Sequence, residues 1–157
     1  MSTEYLNRLC LGCFSLLDAQ GIVCPVCGYN EAARLETPYY LPLRTILGGK
    51  YMVGKVIGEG GFGITYIGYD LNLETKAAIK EYYPSGFVTR DTSQTSTVQP
   101  FTGAQADFFT KGRDRFVDEA RRLARLRALP GIVTVNDFFA ENGTAYIVMH
   151  QLVQQQP

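Results

Sequence analysis

The sequence predicts an α+β protein: a small cysteine-rich unit followed by a five-stranded antiparallel sheet with one principal helix. Three observations carry this expectation. All four cysteines fall within the first 27 residues, as two CxxC pairs. The glycine-rich stretch from Gly58 to Gly63 lies between two runs of β-branched and aromatic residues, which marks a hairpin tip. A single apolar stripe at helical spacing, Phe116, Ala120, Leu123 and Leu126, is stopped by Pro130-Gly131.

Composition sets the frame. The chain has 157 residues, 46% hydrophobic and 19% charged, which is globular rather than disordered or fibrous. Fifteen basic against fifteen acidic residues give a formal net charge of zero, which excludes a generally basic nucleic-acid binder. No stretch approaches the roughly 20 consecutive apolar residues of a membrane helix. The apolar run from Leu9 to Leu17 follows no basic segment, so it does not read as a signal peptide. A reducing cytoplasm is the expected compartment, with no membrane partner.

The cysteines read as Cys10-Leu11-Gly12-Cys13 and Cys24-Pro25-Val26-Cys27-Gly28, with ten residues between the pairs. A CxxC turn directs two thiolates to one point, and a second turn completes a tetrahedron around a soft divalent ion. Gly12 and Gly28 suit such turns, because glycine accepts positive φ and lets amides approach sulfur. The alternatives are disulfides, which a reducing compartment disfavours, or redox pairs, for which no βαβ context is present. Zinc held by Cys10, Cys13, Cys24 and Cys27 is therefore expected. Four sulfur ligands leave no open position for catalysis, so this zinc is structural. Residues 1–30 are too short to build their own core, and the metal supplies folding free energy. Residues 31–50 hold two prolines, Tyr39-Tyr40 and Gly48-Gly49 without helical or strand period, and are expected to form a loosely packed linker.

Residues 51–157 form the second unit. Tyr51 to Ile57 reads as a strand that runs into Gly58-Glu59-Gly60-Gly61-Phe62-Gly63. Alone, G-x-G-x-x-G also opens dinucleotide-binding folds, but there a helix must follow. Here Ile64 to Tyr69 is a second strand, so the glycines sit at a hairpin tip where backbone amides can cover phosphates. No Gly-Lys-Ser/Thr follows, which excludes a Walker A loop. On the loop alone, a glycine-rich hairpin without ligand is the competing reading. After the turn from Asp70 to Thr75 comes a third strand, Lys76 to Tyr82.

The helix is expected over Arg113 to Leu129. Glu119 lies at the edge of its apolar stripe and wants a cation, for which Lys80 is the candidate. Asp118 competes, and Arg122 is its expected partner on the outer face. The six arginines between Arg113 and Arg127 read as a solvated helix face. Ile132 to Phe139 and Thr144 to Met149 are two further strands, joined by the strong hairpin signal Asn142-Gly143. The Ser-, Thr- and Gln-rich insertion between Tyr82 and Asp107 is expected as a mobile loop or a small hairpin.

The hairpin, followed by Ala78-Ile79-Lys80 with Lys80 17 positions after Gly63, resembles the protein kinases. With Glu81-Tyr82-Tyr83-Pro84-Ser85-Gly86 added, the chain is similar to a bacterial group of serine/threonine kinases, some of which carry an N-terminal zinc ribbon. The resemblance implies a kinase small lobe, a five-stranded antiparallel sheet with a regulatory helix, and ATP as ligand. It implies that Lys80 contacts the α- and β-phosphates and pairs with Glu119, while Gly58, Gly60, Gly61, Phe62 and Gly63 cover the phosphates. It implies that Ile57, Thr65 and Ala78 also bind the nucleotide, with Thr65 above the adenine and Met149 as gatekeeper. The backbone of His150 and Leu152 would be the hinge. Thr65 stands where kinases usually have valine, and His150-Gln151 where an acidic residue and an aromatic are usual. Asp137-Phe138-Phe139 is no D-F-G motif, since it lacks the glycine and precedes the hinge.

Phosphoryl transfer also needs a catalytic aspartate, a metal-binding asparagine and the D-F-G aspartate. No H-R-D stretch is present, and the sequence stops five residues after Leu152. The expectation is that this chain alone is inactive and binds ATP weakly, because the magnesium ligands belong to the absent large lobe. It is either the first part of a longer kinase or a naturally short protein. A non-catalytic module in which ribbon and lobe bind a partner protein is the alternative. Nucleic-acid binding through the ribbon is disfavoured, because the first 50 residues balance four basic against four acidic side chains.

Overall fold

The computed structural model describes residues 3–17, 23–34, 37–126 and 134–150. The expected helix stop at Pro130-Gly131, the strand start at Ile132 and the hinge residues Gln151 and Leu152 lie outside this set. After a short helix, α1 (Thr3–Asn7), come β1 (Ile46–Leu47), β2 (Tyr51–Glu59), β3 (Gly63–Asp70) and β4 (Thr75–Tyr82). They are followed by β5 (Val88–Thr89), β6 (Gln99–Pro100), α2 (Ala104–Arg125), β7 (Val135–Glu141) and β8 (Thr144–His150). The main sheet is antiparallel in the order β1-β2-β3-β4-β8-β7.

The sheet thus has six strands where five were expected. The extra strand, β1, arises inside the stretch expected as linker. Gly48 and Gly49 take positive φ, 57° and 74°, and turn the chain so that Ile46 pairs with Met52 and Leu47 with Tyr51. Leu47 is fully buried by this pairing and Leu41 nearly so, so this stretch contributes to the core.

The sheet curls until its two ends meet, close to a barrel. Tyr51 of β2 stacks on Phe139 of β7 with ring centroids 6.0 Å apart, and its hydroxyl donates to Asp137 at 2.9 Å. The Gly48 N–H donates to Glu141 at 2.9 Å across the same gap. The inner face holds the main core, including Val53, Ile64, Tyr66, Ile79, Tyr146 and Val148. The insertion is the small hairpin β5–β6, and its Val88 and Val98 add to that core.

α2 starts at Ala104 rather than the expected Arg113. Buried Phe109 packs on Tyr82 at 5.2 Å between centroids and carries the apolar face upstream of the stripe that begins at Phe116. The stripe also ends sooner: Leu126 is exposed. On the outer face of the sheet, Phe116, Ala120 and Leu123 meet Val135, Phe138, Ile147 and Met149.

The cysteine unit docks on the same outer face, at the other end. Leu9, Leu11 and Phe14 pack on Met52, Ile67 and Tyr69, with Phe14 stacked on Tyr69 at 5.0 Å. The Lys55 N–H donates to the Leu11 carbonyl at 2.9 Å. This approach requires Gly54, because a Cβ there would lie 2.5 Å from the Leu11 oxygen and 2.7 Å from Ile67 Cγ2. Gly54→Ala is expected to push the unit off the strand at a cost of about 1–3 kcal/mol, read as a lower urea midpoint. An unchanged midpoint would mean that the contact is loose.

Candidate functional site

α2 covers one end of the outer face and the cysteine unit the other, and among the described residues the middle, with its exposed Lys80, stays open. In antiparallel strands, directly opposed residues point to the same side. Thr65 opposes Lys80, Ile67 opposes Ala78, and Ala78 opposes Met149. Register therefore gathers Thr65, Ala78, Lys80 and Met149 on one face. Lys80 is exposed, while Thr65, Ala78 and Met149 are half-buried. His150 ends β8 opposite Ala77.

The glycine-rich stretch forms the tip between β2 and β3, as expected. The Gly60 N–H closes the turn on the Gly63 carbonyl at 2.9 Å, and Gly58, Gly60, Gly61 and Phe62 are exposed. Ile57 lies where the β2–β3 register shifts, between Val56 and Gly58, and is also exposed. Lys80 leans toward this tip: a Cβ on Gly63 would sit 3.3 Å from Lys80 Cε, so the lysine stem runs along a glycine. Its ammonium lies 6.0 Å from the centroid of Phe116 on α2.

Lys80 thus reaches α2, but not at Glu119. Glu119 faces Arg122 at 3.7 Å, and Asp118 pairs with Arg121 at 3.1 Å rather than with the expected Arg122. No Lys80–Glu119 ion pair forms among the described residues. Both helix pairs are well exposed and contribute little to stability.

Sequence reasoning missed the polar centre just behind Lys80. Strand alternation turns Glu81 to the inner face, where Arg90 meets it with two hydrogen bonds of 2.7 Å, both side chains fully buried. The hydroxyls of Tyr66 and Tyr146 also donate to the Glu81 carboxylate, at 2.9 and 2.6 Å. Arg90 further donates to the carbonyls of Tyr39 and Ser96. Burial first, then the adjacent carboxylate, raises the Tyr66 and Tyr146 hydroxyls well above the usual tyrosine range. Arg90 is held cationic by its bonds to Glu81 against the opposing pull of burial. The available signal was the alternation: a glutamate one residue after an outward lysine must point inward and needs a cation.

The four cysteines converge as expected. Their sulfurs all lie within 4.8 Å of one another, with Cys10–Cys27 at 3.6 Å and Cys13–Cys24 at 3.8 Å. Tetrahedral ligands about 2.3 Å from a zinc ion stand roughly 3.8 Å apart, so the spacing fits a metal such as zinc. The Gly12 N–H points at Cys10 Sγ from 3.3 Å and the Val26 N–H at Cys24 Sγ from 3.4 Å, which suits thiolate ligands. Gly28 takes φ 80°, and a Cβ on Gly12 would collide with Tyr29. Burial pushes the Cys10 thiol up to about 12. Cys24 is brought down to about 7, because amide and thiol contacts outweigh the opposing effect of burial.

Among the described residues, no helix is long and apolar enough to cross a membrane. No family model and no curated protein matches the chain. Among solved structures it is similar to PpkA-294 in its apo form, a fragment of a bacterial serine/threonine kinase, at 36% identity and a TM-score of 0.66. The match covers 72% of this chain and 39% of that one, so the chain spans well under half of the structure it resembles.

Proposed function

We propose that this chain is the nucleotide-binding small lobe of a serine/threonine protein kinase, preceded by a structural zinc knuckle. The observation that carries the reading is the placement of Lys80. It stands on the open outer face with its stem against Gly63 at the glycine-rich tip and Thr65, Ala78 and Met149 around it. The likeness to a bacterial kinase fragment supports it. Lys80 and the loop amides would hold the ATP phosphates, the half-buried Thr65 and Ala78 would back the adenine, and the cysteines would hold zinc. Transfer of the γ-phosphoryl group would be completed by large-lobe residues that carry the magnesium and the catalytic base.

Calorimetry with Mg-ATP tests this reading. The 157-residue chain is expected to bind more weakly than micromolar and to transfer no phosphate to protein serine or threonine. Lys80→Ala should weaken binding by roughly tenfold, the effect of losing one charge-assisted phosphate contact. Binding unchanged by that substitution would reject the site.

Glu119 favours the second reading, a non-catalytic module, because it is engaged with Arg122 on the helix surface. In that case Mg-ATP would produce no heat at millimolar concentration. Under the first reading the helix must turn to bring Glu119 to Lys80, a rearrangement that a large lobe would stabilise.

A further inference from the structure

A loop with glycine at three of its turn positions has the greatest conformational freedom the chain can give it, and holding it still requires external contacts. This loop has them on two sides. Tyr39 and Tyr40 donate their hydroxyls to the two oxygens of Glu59, at 2.7 and 2.5 Å. Glu59 stands opposite Ile64, which is fully buried on the inner face, so this hold acts from the side away from Lys80. Along the flank, the N–H groups of Tyr83 and Ser85 donate to the carbonyls of Phe62 and Gly61, at 3.1 and 3.0 Å. In a trans peptide the C=O and N–H point in opposite directions. Capture of the Gly61 carbonyl therefore turns the Phe62 N–H away from the insertion.

Tyr40 packs edge-on against Tyr39 at 5.0 Å between centroids, and Tyr39 is itself anchored. Tyr39 stacks on Tyr83 at 5.4 Å, and its carbonyl accepts from Arg90, whose guanidinium is locked on Glu81. One chain of contacts thus runs from the residue beside Lys80, through Arg90 and Tyr39, to the glycine-rich tip. Both hydroxyls are held in the donor form, since the bond to Glu59 and then burial raise them above the usual tyrosine range.

We propose that Tyr39 and Tyr40 are positioning residues for the nucleotide site: through Glu59 they latch the glycine-rich loop in one conformation, preset to receive the polyphosphate of a nucleoside triphosphate. The inference rests on the nucleotide reading above and adds to it the means by which the loop is kept ready. A preset loop loses less entropy on binding, so the latch appears as affinity.

The test compares the wild-type chain with Tyr39→Phe/Tyr40→Phe, which keeps both rings and removes only the hydroxyls. Hydrogen exchange is followed without ligand, and Mg-ATP is then titrated. The Gly60, Tyr83 and Ser85 amides, whose hydrogen bonds close the loop and hold its flank, are expected to exchange roughly tenfold faster in the variant, while those of β8 stay unchanged. The Mg-ATP affinity should fall by about threefold or more. Glu59→Gln, which retains the shape but loses the charge, should move both readouts in the same direction by less. Unchanged loop exchange overturns the latch. Faster exchange with equal or tighter Mg-ATP binding overturns its positioning role. If the wild type binds no Mg-ATP, the nucleotide reading falls, and the exchange comparison alone decides whether the latch exists.

Discussion

Removing the guanidinium by Arg90→Met is expected to bring the protein to the edge of unfolding. The Glu81 carboxylate would remain in the closed interior with only two tyrosine hydroxyls to face it. Leaving a buried charge without its partner costs about 3–5 kcal/mol, against a typical total stability of about 5–15 kcal/mol. The carbonyls of Tyr39 and Ser96 would lose their donors in the same step. Urea unfolding should show a midpoint shifted down by a third or more. The double variant Glu81→Gln/Arg90→Met removes both charges and should recover more than half of the loss, because a neutral amide still accepts from the tyrosines. A single-variant loss below about 1 kcal/mol would mean that water reaches the pair.

Metal removal is the second large effect. Purified protein is expected to carry one zinc per chain, and a chelator should unfold the cysteine unit while most of the sheet persists. The apparent binding free energy of such four-ligand sites is about 10–16 kcal/mol at neutral pH. Here it would also secure the packing of Leu9, Leu11 and Phe14 on Met52, Ile67 and Tyr69. Without the ion, four thiols, three of them buried and that of Cys27 exposed, hold nothing together, and the Leu11–Lys55 bond is lost with the unit. Hydrogen exchange should therefore rise sharply over residues 9–17 and 23–30 and modestly at Lys55. Acidification should act in the same direction as chelation, since protons compete with the ion for thiolates and the stability it supplies is lost as pH falls. Thiols found paired as disulfides, or a chelated protein with unchanged exchange, would refute the metal role.

The elements that were legible in the sequence are those whose cause is local. The CxxC turns, the glycine-rich tip and the Asn142-Gly143 hairpin follow from residues within a few positions of each other. Asn142 and Gly143 indeed take φ 55° and 73°, the pair of left-handed residues such a turn demands. Lys80 on its strand was legible for the same reason. What was not legible depends on contacts across the chain. Ile46 and Leu47 form a strand only because two glycines fold them back on Tyr51 and Met52. The helix begins early because Tyr82, far upstream, offers Phe109 a surface. Arg90 lies in the polar insertion, and only the curling of the sheet encloses it with Glu81. Glu119 turned to the neighbouring Arg122, a choice between two cations that helical periodicity alone does not make.

The meeting of the sheet's two ends bears on the order in which a ribosome delivers this protein. β4 lies between β3, completed just before it, and β8, which begins only at Thr144. While everything from Tyr83 to Gly143 is being made, one edge of β4 stays unpaired, with its row of amides and carbonyls exposed to any extended segment nearby. The seam between Tyr51 and Phe139 joins later still, when β7 has found its place beyond β8. The nascent protein therefore passes through a long interval with a naked strand that carries Lys80, the stage at which wrong pairings and chaperone capture are expected.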